Sequence, residues 1–227
     1  MACYFYRNIS ALLYYIVHSV IRVLFLLLTS RRIEGRQNIP PRGAVIFVSN
    51  HIELVDSPLL WTGLGRRVYF MAKNELFDSK IVAFFMTRFG VFPVRKGRAD
   101  RKALSKAEQV LADGQALLIY PEGMRSHSRK IKLAFHGAAF ISCRSGVPIV
   151  PIGVSGSEQI RGIGWILRRP QINIKVGPAF SLPPISGRRT KARLSKQTDV
   201  IMEHVTGVLP ARYRGYYKAG GLNSIEG

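Results

Sequence analysis

The sequence predicts an α/β fold, a largely parallel β-sheet flanked by helices and preceded by an N-terminal membrane-associated helical segment. Three observations predict it. Several short apolar runs of strand length are continuous rather than alternating, as in strands covered on both faces. Helical patterns separate several of these runs, the strand–helix–strand order of a parallel sheet. A long apolar window opens the chain. With 227 residues, 47% of them hydrophobic, the chain can bury a core, which excludes disorder.

The opening window covers residues 9–29, of which 16 are apolar or Tyr. As a helix it would be about 30 Å long, roughly one hydrocarbon core. At 100° per residue, Arg7, Ala11, Tyr14, His18, Arg22 and Thr29 share one stripe. Ile9, Leu13, Ile16, Val20, Val23, Leu24 and Leu27 lie opposite. Three readings compete. A cleaved signal peptide conflicts with Arg22 and lacks a small-residue cleavage site. A transmembrane span must accommodate His18 and Arg22. A helix lying in the interface, or half inserted, needs neither excuse. If the segment spans, Arg31 and Arg32 place the remainder of the chain on the cytoplasmic side.

Pro40-Pro41-Arg42-Gly43 forms a turn dividing residues 1–39, the membrane-associating segment, from residues 40–227, the α/β domain. Strands are predicted over 44–49, 68–72, 91–94, 116–120, 149–154 and 172–176, and helices over 75–88, 99–113 and 134–144. Gly114 stands where a helix-ending glycine belongs. A last helix, 190–208, follows the Pro183-Pro184 break. There is no internal repeat.

The net charge is +21, carried by 34 Lys+Arg against 13 Asp+Glu, and Arg outnumbers Lys. Guanidinium groups suit phosphate and carboxylate, so the partner is an anion: nucleic acid or an anionic lipid surface. The opening window favours the membrane. Cys3 and Cys143 are too few for a disulfide framework.

In parallel sheets sites lie beyond the carboxyl ends of strands. After the first predicted strand come His51 and, five residues on, Asp56. A loop curling into a helix start can return that carboxylate to the imidazole, fixing its tautomer and leaving the other nitrogen as a base. Asp56 acting only as a helix cap is an equal alternative. After the third run come Arg95, Lys96, Gly97 and Arg98. After the fourth come Pro121-Glu122-Gly123-Met124-Arg125-Ser126, where Arg125 and Ser126 can hold a phosphate by charge and hydroxyl together. A solvated basic turn is the alternative for each. There is no Walker loop and no His-Glu-x-x-His. Gly153-Val154-Ser155-Gly156 lacks the spacing of a nucleophile elbow.

Asn50-His51 with Asp56, the run from Gly90 to Gly97 (GVFPVRKG), the run from Tyr120 to Ser126 (YPEGMRS), and Val147-Pro148-Ile149-Val150-Pro151 resemble the four ordered blocks of the glycerolipid acyltransferases. The 1-acyl-glycerol-3-phosphate acyltransferase branch is the one most resembled. The resemblance implies His51 as general base and Asp56 as its orienting partner. It implies Arg95, Glu122, Gly123, Arg125 and Ser126 as the residues that bind glycerol phosphate, with Pro148 and Pro151 shaping the acyl side. Two positions depart from the usual pattern: Met124 replaces Thr, and Glu53 replaces a small hydroxylated residue.

The resemblance further implies a lysophosphatidate acceptor. The acyl donor is a thioester of coenzyme A or acyl carrier protein, with no separate cofactor or metal. Phosphatidic acid is formed at the cell membrane, with the catalytic domain on its cytoplasmic side. No nucleic acid is expected. A related acceptor such as glycerol-3-phosphate, another lysophospholipid or an ornithine lipid remains open. A non-catalytic basic membrane or nucleic-acid binder would account for the charge but not for the four blocks.

Overall fold

The computed structural model describes residues 2–95, 100–183 and 190–217, with side chains from Leu12 onward. In chain order the strands are β1 (Ser30–Glu34), β2 (Val45–Ser49), β3 (Val68–Lys73), β4 (Val91–Val94), β5 (Ala116–Ile119), β6 (Ile149–Ser155) and β7 (Gln171–Val176). The helices are α1 (Ala2–Leu28), α2 (Asp56–Gly63), α3 (Lys80–Arg88), α4 (Arg101–Ala112), α5 (Gly137–Ser145), α6 (Trp165–Arg168) and α7 (Lys191–Gly207). The sheet order is β1-β7-β6-β2-β5-β3-β4. The strands from β6 to β4 pair in parallel, while β7 is antiparallel to β6 and carries β1 parallel to itself. The carboxyl ends of β2, β4, β5 and β6 therefore share one edge.

Successive residues of each central strand point to opposite faces. Ile46 and Val48 join Leu117 and Ile149 in a core capped by Ala107 and Val110 of α4, Ala138 and Ile141 of α5, and Ile201 and Val205 of α7. Val45 and Phe47 join Leu118, Val150 and Ile174 under Leu60 of α2. Two covered faces explain the continuous apolar runs. Gly114 ends α4 with φ +69°, a conformation that costs other residues energy.

Three elements differ from the sequence expectation. β1 lies ahead of the Pro40-Pro41 turn yet pairs along its length with β7, so the sheet extends into the segment assigned to the membrane. The expected helix 75–88 is broken: a 3-10 turn (Asn74–Phe77) precedes α3, and Asp78-Ser79 separates them. Asp and Ser compete with the helical backbone and favour such junctions. The expected helix 134–144 starts at Gly137, because Phe135 N–H donates to Pro121 O and Ala134 N–H to Tyr217 Oη. Of the expected helix 99–113, Ala99 lies outside the described residues, as do Lys96, Gly97, Arg98 and Pro184.

The polar stripe of α1 faces protein. Tyr14 is buried, its ring 5.3 Å from that of Trp61 in α2, and its hydroxyl accepts the Trp61 indole N–H at 3.1 Å. His18 lies edge-on to the same indole at 4.9 Å. Arg22 is exposed. The apolar residues Ile16, Val20, Val23, Leu24 and Leu27 point outward and are about half exposed. The side chains of Arg7, Ile9 and Ala11 lie outside the described residues. Among the described residues, no helix is long and apolar enough to cross a membrane.

Candidate active site

The site begins where β2 runs out of partners. The Asn50 side chain continues the pairing with β6: its Nδ2 donates to Val154 O at 2.9 Å and its Oδ1 accepts Val154 N–H at 2.8 Å. This buried amide holds the backbone at the point where His51 leaves the sheet. Asp56 opens α2, and its side chain is fully buried. Asp56 Oδ2 accepts His51 Nδ1–H at 3.0 Å, Ile52 N–H at 2.7 Å and Glu53 N–H at 2.8 Å. All three donors precede it in the chain. The helix-cap alternative is thus not what this carboxylate does: the cap position is Val55, which makes no side-chain cap bond.

The loop after β5 wraps His51 from the other side. The Tyr120 ring stacks on the imidazole with centroids 4.2 Å apart and planes 19° apart. Burial, and then the nearby Asp56 charge, push the Tyr120 phenol up, so it stays neutral. Its oxygen accepts Ser57 Oγ–H at 3.2 Å. Glu122 Oε1 accepts His51 N–H at 3.1 Å, and Oε2 accepts Lys132 N–H at 2.9 Å. Ser126 N–H donates to His51 O at 2.8 Å. Main chain, ring face and Nδ1 of His51 are all held. With Nδ1–H donated to a carboxylate, Nε2 carries the lone pair and can accept a proton.

The candidate residues therefore divide. His51, Asp56, Glu122 and Ser126 form one bonded group. Glu122 and Ser126, expected to bind substrate, hold backbone groups around His51. Glu122 is 2% exposed, and each of its oxygens already holds an N–H. Ser126 is buried and its hydroxyl donates to Lys130 O. Burial pushes the Glu122 carboxyl up, against the Lys132 and His51 N–H donors that lower it. Gly123 turns the chain at φ +60°, and a Cβ there would sit 3.0 Å from the Phe135 ring. Arg125 follows on the surface, and Arg95 is exposed at the end of edge strand β4, with β3 between it and β5. Arg125 makes no ion pair among the described residues, while the Arg95 charge helps hold the Asp100 carboxyl low. Arg95 N–H donates to Asp100 Oδ2 at 2.9 Å, which anchors the turn into α4.

Sequence reasoning assigned no role to Tyr120, Asn50 or Arg161. Arg161 forks onto Glu53 Oε1, with its Nε at 2.7 Å. Only the placement of Tyr120 at a strand end next to the Pro-Glu-Gly turn could have singled it out. Among the described residues, no group of three or more His, Cys, Asp or Glu is placed to hold a metal ion.

A family model described as Acyltransferase matches residues 30–155, more than half of the chain. The chain belongs to this acyltransferase family. The match begins at β1 and ends with β6, so it contains the whole His51 group. A chloroplastic 1-acyl-sn-glycerol-3-phosphate acyltransferase of Arabidopsis thaliana is 30% identical over 135 residues, 58% of this chain and 38% of that protein. The chain thus spans less than half the length of that relative. A 1-acyl-sn-glycerol-3-phosphate acyltransferase of Bacillus subtilis is 22% identical over 82% of this chain and 92% of its own. A lyso-ornithine lipid O-acyltransferase of Pseudomonas aeruginosa is 30% identical over 51% of this chain and 44% of its own. The crystal structure of the 1-acyl-sn-glycerophosphate acyltransferase of Thermotoga maritima shares the acyltransferase fold seen here. It has a TM-score of 0.64 and 23% identity over 90% of this chain and 87% of that one.

Proposed function

We propose that this acyltransferase moves a fatty acyl group from an acyl thioester to the free hydroxyl of 1-acyl-glycerol-3-phosphate, giving phosphatidic acid. The observation that carries the reading is the His51–Asp56 pair at 3.0 Å, gripped by the loop after β5. The names of the plant and Bacillus relatives support the acceptor. His51 Nε2 takes the hydroxyl proton as the oxygen attacks the thioester carbonyl, and Asp56 stabilises the imidazolium. The tetrahedral intermediate collapses, the C–S bond breaks, and the imidazolium returns the proton to the departing sulfur. No acyl-enzyme is needed. Arg125 and Arg95 attract the acceptor phosphate. The donor, acyl-CoA or acyl carrier protein, is a co-substrate, and no other cofactor enters.

The outward apolar face of α1 lies in an anionic leaflet of the cell membrane, with the catalytic face on its cytoplasmic side. Residues 1–39 form the membrane-associating segment and 40–227 the catalytic domain, with β1 tying the first to the sheet of the second. The Pseudomonas relative supports one alternative acceptor, a lyso-ornithine lipid, which lacks the phosphate. An acyl-transfer assay of the purified protein against a panel of lysolipids tests both. Transfer to lysophosphatidate is the expected result, and transfer only to the phosphate-free acceptor would replace it.

A further inference from the structure

On the β6–β7 side of His51 lies a cavity of about 570 Å³, lined by Arg129, Arg161, Arg168 and Arg212 together with Glu158. Its lining includes none of His51, Asp56, Arg95 and Arg125. Its walls come from four places: the loop after β5, the turn after β6, α6, and the 3-10 turn Ala211–Tyr213. The lining carries four guanidiniums against one carboxylate. Glu158 Oε1 accepts the Tyr213 hydroxyl at 2.7 Å. Arg161 is tied to Glu53. Arg129, Arg168 and Arg212 have no carboxylate partner among the described residues. Arg212 is held in place, its guanidinium 4.9 Å above the Tyr213 ring and its Nη2 donating to Tyr213 Oη at 3.0 Å. Arg129 adopts φ +63°, which non-glycine residues seldom do.

The cavity is joined to the catalytic group. Arg161 binds the Glu53 side chain, and Glu53 N–H binds the Asp56 oxygen that holds His51. Glu53 and Asp56 thus connect the cavity wall to the reacting imidazole. Arg95, one of the arginines proposed for the acceptor phosphate, stands on edge strand β4, with β2, β5 and β3 between it and β6. The reaction has a second phosphate-bearing substrate. Both soluble acyl donors carry their thioester on a phosphopantetheine arm, and the coenzyme A form bears further phosphates.

Resting on the acyltransferase reading, we infer that the cavity bounded by Arg129, Arg161, Arg168 and Arg212 is the phosphate site of the acyl donor. The donor then enters from the β6–β7 side, and carbonyl and hydroxyl meet over His51. Glu53 and Arg161 form the seam between the two sites.

The test uses the full-length protein with Arg129→Gly, Arg168→Ala and Arg212→Ala, singly and combined. Arg129→Gly separates binding from folding, because glycine accepts φ +63° without strain and the thermal midpoint should not fall. Calorimetric titration with coenzyme A, free of any acyl group, should show about tenfold weaker binding for each guanidinium lost. In turnover the donor KM should rise by a similar factor, with the lysophosphatidate KM little changed. Parallel effects with acyl-CoA and acyl carrier protein would assign the phosphopantetheine phosphate. Effects with acyl-CoA alone would assign the nucleotide phosphates, which also supports the inference. Unchanged coenzyme A affinity and donor KM in the triple variant would overturn it. So would loss of binding to anionic vesicles with coenzyme A affinity intact, which would give these arginines to lipid headgroups. If no lysolipid is acylated at all, the functional reading fails separately, because coenzyme A titration does not depend on turnover.

Discussion

Glu122 accepts the backbone N–H of His51 at 3.1 Å across 71 positions of sequence. Glu122, which the family resemblance implied as a substrate ligand, clamps the catalytic loop through this bond. Glu122→Gln replaces one acceptor oxygen with a donor, so one buried N–H, of His51 or Lys132, is left unpaired. The expected cost is about 1–3 kcal/mol of stability. The loss of turnover should appear in kcat, with the acceptor KM nearly unchanged. Thermal unfolding and steady-state kinetics check this. A large rise in acceptor KM at constant kcat would return Glu122 to the substrate.

The same carboxyl makes the stability of the fold depend on pH. Burial raises its pKa, so it takes up its proton at a higher pH than an exposed glutamate would. Its own contribution favours the folded state below the unfolded glutamate pKa and is lost as pH rises through the folded value. Acidification should therefore cost no stability through Glu122, even as it removes the charge on the clamp. Thermal midpoints of wild type and Glu122→Gln across pH test it: the wild type should lose stability relative to the variant as pH rises through the folded value, since the variant has no proton to lose there.

His51→Ala should reduce turnover by about 10²–10⁴-fold. The fold should survive, because the loop is held through the His51 backbone and not through its imidazole alone. Asp56→Asn should cost both activity and stability. Asp56 Oδ2 serves three donors, and an amide in that fully buried site brings an N–H that nothing there accepts. Circular dichroism with single-turnover rates separates the two. Near wild-type turnover by a folded His51→Ala protein would end the general-base mechanism.

Arg125→Ala and Arg95→Ala should each raise the lysophosphatidate KM by about tenfold, the worth of one charge-assisted phosphate contact. Acylation of a phosphate-free lyso-ornithine lipid should change little. Equal losses on both acceptors would make the arginines structural.

Charged substitutions on the outward face of α1, such as Val20→Asp with Leu24→Asp, should weaken liposome binding at high salt. Each apolar side chain entering lipid is worth up to about 1.5–3 kcal/mol, a contribution that salt does not screen. The thermal midpoint should hold, since both side chains are exposed. Trp61→Ala should do the reverse, destabilising the protein by about 3–5 kcal/mol through the lost packing of Tyr14 and His18. Undiminished liposome binding at high salt by the doubly charged variant would place the membrane contact elsewhere.

What the sequence determined by itself is local. Continuous apolar runs arise from strands buried on both faces, and the positions just past them are set by the chain order. His51, Asp56 and Arg125 were therefore legible at their strand ends. The spacing of four short blocks carried the family. The tertiary structure decided whatever depends on partners far along the chain. Pairing with β7 makes a strand of Ser30–Glu34, whose sequence has no apolar run. The stripe of α1 holding Tyr14 and His18 reads as a narrow polar face, and only the fold shows that Trp61 packs against it. Its greasy side then becomes the exposed one. Glu122 is spent on His51 N–H and Lys132 N–H, and Glu53 on an arginine 108 positions away. Periodicity reports which side of an element is apolar, because it arises from the geometry of one segment. It cannot report which neighbour will cover that side, or which buried donor will claim a carboxylate, because both are settled by contacts the folded sheet creates.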